Sequence, residues 1–405
     1  QIFYLFLVIY KRSVQDILRK RLCGSRSLVF RNYSYILIIG NKCYNFSAMK
    51  EQFTQRLKKI EDVLTKKLPE NFSSNWQWGI FNTSPNQEFS QNEIEKLVKP
   101  CRELLSLGGK RWRPLLQVLC AEYVILNKNG TEAENQINLE NAYNLVPLVE
   151  FVHTASLIHD DIEDGADTRR GKPAAHITYG VDVAINAGSW LYFAAPEVLE
   201  TLPLDEKLKI NLYRTFMTEL RRLHLGQSMD INWHKNKTYI PSKEEYMTMV
   251  GLKTGTLASL AAKIGMISGG GTEEEASSMA EIARKIGIGF QVLDDVINLT
   301  TGNKGKKRGD DVVEGKKSLP VILHIESKPE DLEKLVNCFE RAAKEGPDSP
   351  AVEECINILE SSGAIEKAKS ISKELIESSC KEVKNFYPKA EIGEEISELF
   401  TSMLL

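Results

Sequence analysis

Long apolar runs are missing from this 405-residue sequence, and nothing in it approaches the roughly 18 consecutive apolar residues that a membrane span requires. Cysteine pairing signals are missing as well. The seven cysteines, Cys23, Cys43, Cys101, Cys120, Cys338, Cys355 and Cys380, are scattered without a CxxC pair. That argues against a zinc site or a disulfide framework and fits a reducing compartment. The six histidines include no HExxH, and no Ser-His-Asp or Cys-His signature offers a protein nucleophile. The glycine run at 268–272 is not followed by Gly-Lys-Ser/Thr, so it reads as a turn between helices rather than a P-loop. Strand signals, alternation bounded by Asn-Gly or Asp-Gly turns, are absent from residues 49–405. Nor is there an excess of positive charge. The net charge is −3, and the acidic body argues against non-specific nucleic-acid binding.

The composition that remains, 42% apolar and 26% charged, is that of an ordinary globular protein. Residues 1–48 stand apart. They carry eight Lys/Arg and one acid, Asp16, for a net +7, which leaves −10 on residues 49–405. Three readings of this segment stay open: translated upstream sequence with Met49 as the start, an Arg-rich and acid-poor organelle presequence, or the remnant of a membrane anchor in QIFYLFLVIY. In each it stands outside the core, and residues 49–405 form the domain. The expected compartment is the cytoplasm, or an organelle if the segment is a presequence.

From Met49 onward the periodicity is helical. Phe53, Leu57, Ile60 and Leu64 mark a helix over 50–67, and the Asn-, Ser- and Pro-rich stretch 68–92 reads as an ordered loop or lid. Further helices are expected at 92–107, from about Pro114, at 181–200, 204–233, 243–267 and 273–301, with a polar loop at 127–138. Residues 320–405 read as three or four charged amphipathic helices without a chemical signature.

The informative stretch is 151–171, FVHTASLIHDDIEDGADTRRG. An apolar helical run through Leu145, Leu148, Val149, Val152 and Ser156 ends in carboxylates. Asp160 and Asp164 are four apart and so share one helix face. Two carboxylates that close repel unless a cation lies between them, and all-oxygen ligands point to a hard ion such as Mg²⁺, completed by substrate phosphates. Arg169 and Arg170 follow, two guanidinium forks suited to phosphate oxygens. A second helix repeats the theme and ends in Gln291, Asp294, Asp295 and Asn298, followed by a basic loop with Lys306, Lys307, Arg308, Lys316 and Lys317. Upstream, Gly108-Gly109-Lys110-Arg111-Trp112-Arg113-Pro114 is a turn whose glycines admit a ligand to the backbone, with Lys110 and Arg113 on one side of the following helix start. Facing helix ends would bring about three negative charges from Asp160, Asp164 and Asp294. A diphosphate adds roughly three more, which three Mg²⁺ would neutralise. The Lys110/Arg113 turn lies outside that cluster and suits a second phosphate-bearing substrate without metal. Such a site ionises an allylic diphosphate, with cations stabilising the departing pyrophosphate.

The Gly-Gly-Lys-Arg turn, the DDIED and RRG segment, Lys253-Thr254 and FQVLDD with the later GKKS resemble, in the same order, the trans-isoprenyl diphosphate synthases, over about residues 100–325. The resemblance implies an all-α single domain of ten or more helices around a central cavity, usually a homodimer, condensing isopentenyl diphosphate with an allylic diphosphate. By position it implies Asp160, Asp164, Asp294 and Asn298 as metal ligands. Lys110, Arg113, His153 and Arg170 would hold isopentenyl diphosphate; Arg169, Lys253, Thr254, Gln291, Lys306 and Lys316 the allylic partner. Asp160, Asp164, Arg169, Lys253 and Asp294 would carry the catalysis. Asn298 departs from the commoner aspartate, and DDxxN is the form of the geranylgeranyl branch, which implies a C20 product, with a farnesyl or longer polyprenyl diphosphate synthase as the alternative. In that branch Tyr192, Phe193 and His224 floor the product cavity, and Ala155 and Ser156, small residues one turn before Asp160, let the chain pass. A terpene cyclase is disfavoured because Asn298 and Gly302 stand where it needs Ser/Thr and Glu. A non-catalytic synthase subunit is disfavoured because the aspartate pairs are retained.

Overall fold

The structure, a computed structural model, describes residues 36–39, 42–82, 90–302 and 308–404. Two compact units divide at Thr54/Gln55. The first contains an antiparallel hairpin, β1 (Ile36–Ile39) with β2 (Lys42–Asn45), in which Ile36 pairs with Asn45 and Ile39 with Lys42. α1 (Phe46–Lys67) then begins three residues before Met49, so position 48/49 falls inside a helix.

The second unit is an all-α bundle. Its helices are α2 (Ser74–Phe81), α3 (Gln91–Ser106), α4 (Trp112–Asn127), α5 (Glu132–Asn144), α6 (Pro147–Glu163), α7 (Ala175–Tyr179), α8 (Val181–Ala194), α9 (Glu197–Thr201) and α10 (Glu206–Lys235). α11 (Lys243–Val250), a π-helical turn at Gly251–Gly255, α12 (Thr256–Ser268) and α13 (Glu273–Leu299) complete the central part. After them come α14 (Asp310–Glu314), α15 (Leu319–Ser327), α16 (Leu332–Glu345), α17 (Pro350–Ser361), α18 (Ala364–Lys384) and α19 (Glu391–Thr401).

Local chemistry sets most of these boundaries. Ser90 with Glu93, Thr131 with Glu134, Ser242 with Glu245 and Thr272 with Glu275 form reciprocal capping boxes that start α3, α5, α11 and α13. The box at Thr131 starts α5 inside the expected 127–138 loop. Ser73 accepts the Trp76 N–H and starts α2 within the stretch expected to be a loop. The helix expected over 181–200 breaks at Ala195–Pro196, and residues 319–401 form five helices rather than three or four. One short ladder, β3 (Thr168–Arg169) with β4 (Lys172–Pro173), lies in the body where no strand was expected. Two residues per strand are too few to show alternation. The turn is carried by Arg170 and Gly171, both at positive φ (53° and 78°), as a tight hairpin turn demands.

The core centres on α12, in which every residue but Lys263 is buried, packed between α4, α10 and α13. A Cβ at Gly265 would stand 2.1 Å from the Gln117 carbonyl oxygen, so α12 and α4 touch backbone to backbone. α13 is sandwiched between α12 and α18, and α6 lies against α8. The two aspartate-ended helices, α6 and α13, thus both discharge into the centre of the bundle.

Candidate active site

The apolar stripe of α6 (Leu148, Val149, Val152, Ala155 and Ile158) is fully buried, which fixes the helix and leaves its polar end to open into a cavity of about 410 Å³. Asp160 and Asp164 line that cavity. Asp164 occupies the C-cap, its N–H donating to the Asp160 carbonyl at 2.8 Å. Asp161 turns the other way: it is buried and accepts from Arg169 Nε at 2.7 Å, holding Arg169 at the cavity wall. Burial raises the Asp160 carboxyl to about 6 against the pull of nearby Lys253, and neighbouring Asp164 pushes it further up.

The facing wall is built from α10, the π turn and α13. Lys253, in the π turn, lies 2.6 Å from Asp230 Oδ2 and 3.9 Å from Asp160 Oδ1. Burial opposes the Asp230 charge, but the Lys253 ammonium holds its carboxyl well below the usual carboxylate range. Gln227 Nε2 donates to Asp160 Oδ1 and Glu163 Oε2, both at 2.6 Å. The close approach of α10 to the π turn depends on Gly226, where a Cβ would meet the Lys253 backbone nitrogen at 2.4 Å. The Thr254 hydroxyl donates to Gln291 Oε1 (2.9 Å), and Gln291 Nε2 donates to Asp295 Oδ1 (3.2 Å). Asp294 lines the cavity from α13, and Lys316 lines it from the returning arm, 4.0 Å from Asp164 Oδ2 and 3.4 Å from Asp311 Oδ1.

The Gly-rich turn supplies a third wall. Gly108 (φ 74°) and Arg111 (φ 46°) reverse the chain, and the buried Arg111 guanidinium is tied to Glu61 and Glu150 at 2.6 Å each and to the Leu105 carbonyl at 2.5 Å. With the turn anchored through Arg111, Lys110 and Arg113 are left to line the cavity. Arg113 lies 4.4 Å over the Trp112 ring and 3.5 Å from His153 Nε2, and its buried Nε lacks a hydrogen-bond partner. Burial lowers Arg113 to about 10, and burial with the Arg113 and Arg170 charges drives His153 well below its usual value, so the imidazole is neutral.

A second cavity of about 200 Å³ shares Asp160, Lys253, Thr254 and Gln291 with the first and extends along α6 past Ser156. Tyr192 and His224 line it. The His159 ring stacks on Tyr192 (5.5 Å), and Tyr192 meets His224 edge-on (5.2 Å).

Among the described residues, four expected ones line neither cavity. Arg170 instead donates to the Gly108 and Leu104 carbonyls and braces the Gly-rich turn. Asn298 is 1% exposed, with its side-chain oxygen accepting the Asp311 N–H at 3.3 Å, so it is not placed as a metal ligand. Ala155 is fully buried in packing, one position round the helix from Ser156, which does line the second cavity. Phe193 is 78% exposed and turned away from the floor that Tyr192 forms. Lys306 lies outside the described residues. Conversely, sequence reasoning assigned no role to Gln227, Asp230, Tyr246 or Asp295. The signal for the first two was a polar His224, Gln227, Asp230 row at three-residue spacing on one face of an otherwise amphipathic helix.

Asp160, Asp164 and Asp294 offer a hard dication only oxygen ligands from two facing helices, and the raised Asp160 carboxyl is one that a cation would relieve. Among the described residues no three His, Cys, Asp or Glu side chains form a cage by themselves. That fits an ion whose remaining ligands are water and phosphate.

Residues 94–359 match the model of the family described as polyprenyl synthetase. The chain belongs to the polyprenyl synthetase family. It is 39% identical over 234 residues to a geranylgeranyl diphosphate synthase of Methanosarcina mazei, covering 57% of this chain and 68% of that protein. It is 33% identical over 315 residues to a geranylgeranyl pyrophosphate synthase of Neocamarosporium betae, covering 76% and 84%. The crystal structure of a geranylgeranyl pyrophosphate synthetase from Pyrococcus horikoshii superposes with a TM-score of 0.72 at 27% identity, covering 89% of this chain and 98% of that one. This synthase is therefore a trans-prenyltransferase: it elongates an allylic diphosphate with isopentenyl diphosphate, and members of its family use a divalent metal.

Proposed function

We propose that this synthase makes geranylgeranyl diphosphate (C20), with Mg²⁺ held by Asp160, Asp164 and Asp294, three ions in all, and acts as a homodimer. The second cavity carries the chain-length reading. A prenyl chain whose diphosphate lies at Asp160 runs back along α6, where each turn of about 5.4 Å is close to one isoprene unit. Ser156, one turn back, is small and lets it pass, and the Tyr192/His224 pair stands beyond as a floor.

In this reading Lys110, Arg113 and neutral His153 hold isopentenyl diphosphate, and the unpartnered Arg113 Nε is a donor awaiting a phosphate oxygen. Arg169, Lys253 and Lys316 hold the allylic diphosphate on the opposite wall, with Thr254 and Gln291 beneath it. When bound, the metal ions neutralise the charge that develops on the departing pyrophosphate. Arg169, kept in place by buried Asp161, and Lys253, kept in place by Asp230, add fixed positive charge at the same spot, without reorganisation as the bond breaks. The homodimer reading is supported by Val181, Ile185 and Phe193, apolar and at least 44% exposed, at positions four and eight apart along one face of α8. Residues 1–48 we place outside the catalytic domain, and the enzyme in the cytoplasm.

The test is chromatography of products from isopentenyl diphosphate with each of the C5, C10 and C15 allylic diphosphates. A predominant C20 product from all three primers is expected. A product that stops at C15 or runs past C20 would overturn the chain-length reading.

A further inference from the structure

The second aspartate motif behaves unlike the first. In the first, two carboxylates four apart face the cavity. In the second, Asp294 and Asp295 line the cavity and Asn298 does not, while Asn298 and Asp295 both receive the arm that returns from the basic loop. Asn298 takes its beginning: its carbonyl accepts the Gly309 N–H (2.9 Å) and its side-chain oxygen the Asp311 N–H (3.3 Å). Asp295 takes its end: Oδ2 accepts the Leu319 N–H (3.0 Å), at the first residue of α15, and also the hydroxyl of Tyr246 (2.6 Å). Tyr246 is 2% exposed and comes from α11, so its ring is held by the core and its hydroxyl has a fixed direction. Between the two grips the eleven residues 309–319 hold the single short helix α14, and Lys316, just after it, places its ammonium against Glu314 and Asp311 (3.4 Å) of its own arm and 4.0 Å from Asp164 of the first motif.

We infer that Asp295, Tyr246 and Asn298 are positioning residues that staple the 309–319 arm to α13 and thereby carry Lys316 across the cavity to Asp164. The inference rests on the reading of Lys316 as a ligand of the allylic diphosphate. It also accounts for the amide at 298. The position is fully enclosed beside Asp295 and Asp311, and an amide oxygen accepts the backbone N–H without adding another buried negative charge.

A double-mutant cycle on the full-length enzyme tests it, with initial rates measured against each substrate and against Mg²⁺ for Tyr246→Phe, Asn298→Ala, Lys316→Ala and the Tyr246→Phe/Lys316→Ala pair. Lys316→Ala removes a charge-assisted contact and should raise the KM for the allylic diphosphate about tenfold or more. Tyr246→Phe should raise the same KM several-fold, with the KM for isopentenyl diphosphate and the Mg²⁺ half-saturation unchanged. The pair should be no worse than Lys316→Ala alone, because the staple acts through the lysine. If Tyr246→Phe fails to fold, Asn298→Ala takes its place in the same cycle. Multiplying effects in the double variant would overturn the inference, as would a Lys316→Ala enzyme with normal allylic KM. So would a large rise in Mg²⁺ half-saturation for Asn298→Ala, which would restore Asn298 as a ligand. A wild-type enzyme that forms no elongated product would instead sink the reading beneath it.

Discussion

Gly226→Ala is the most discriminating single change outside the groups that touch substrate. The added Cβ would stand 2.4 Å from the Lys253 nitrogen, 2.8 Å from the Leu252 carbonyl carbon and 2.9 Å from Leu252 Cβ. Ordinary contact begins near 3.4 Å, so the π turn must retreat from α10 by about 1 Å. The obstacle is backbone on one side and a 30-residue helix on the other, so no flexible side chain can absorb the shift. Overpacking of this kind costs about 1–3 kcal/mol, and the better helix propensity of alanine returns about 1, leaving the protein folded. A 1 Å retreat would stretch the 2.6 Å Lys253–Asp230 contact beyond hydrogen-bonding distance and withdraw the ammonium from Asp160. Misplacement of a catalytic group by 1 Å costs roughly 100-fold. The expected outcome is a kcat reduced by about two orders of magnitude with a melting temperature lowered by only a few degrees, read by steady-state kinetics and calorimetry on the same preparation. A kcat within threefold of the wild type would refute the argument that this glycine sets the position of Lys253.

Three further outcomes are expected. Tyr192→Ala should add one or more C5 units to the product and Ser156→Phe should shorten it toward C15, whereas Phe193→Ala should leave its length unchanged, all by product chromatography. Lys110→Ala should raise the KM for isopentenyl diphosphate far more than that for the allylic partner, since the two diphosphates are assigned to opposite walls. Lys317 is buried, which lowers its ammonium to about 8 against an ordinary 10.5, with Lys237 nearby adding to the shift. The unfolded chain therefore binds more protons between about pH 8 and 10.5, and folded stability rises with pH through that window. Lys317→Met should abolish that rise and stabilise the fold at pH 7 by up to about 3 kcal/mol, measured by denaturant titration at both ends of the window.

Helical periodicity, capping boxes and the four-residue spacing of Asp160 and Asp164 are local, and the sequence alone determined them: 3.6 residues per turn converts spacing into faces without reference to the rest of the chain. The same holds for Lys110 and Arg113, placed by two glycines and a helix start. What lay beyond it was any choice between adjacent positions on a buried helix. Ala155 and Ser156, like Tyr192 and Phe193, are consecutive and so point about 100° apart, and only packing against neighbouring helices decides that Ser156 and Tyr192 face the cavity. Nor could spacing separate Asp294 from Asn298, since both stand on one face of α13. The arm returning at 309–319 claims Asn298 for its backbone. The π turn that presents Lys253 was likewise hidden inside a continuous helical pattern, because one π turn changes the local twist while leaving the apolar stripes on either side intact. Local geometry is written in neighbouring residues; which side chains meet at the site is settled by elements 23 to 67 residues away, as when Lys253 bonds to Asp230 of helix α10 and Gln227 reaches Asp160 of α6.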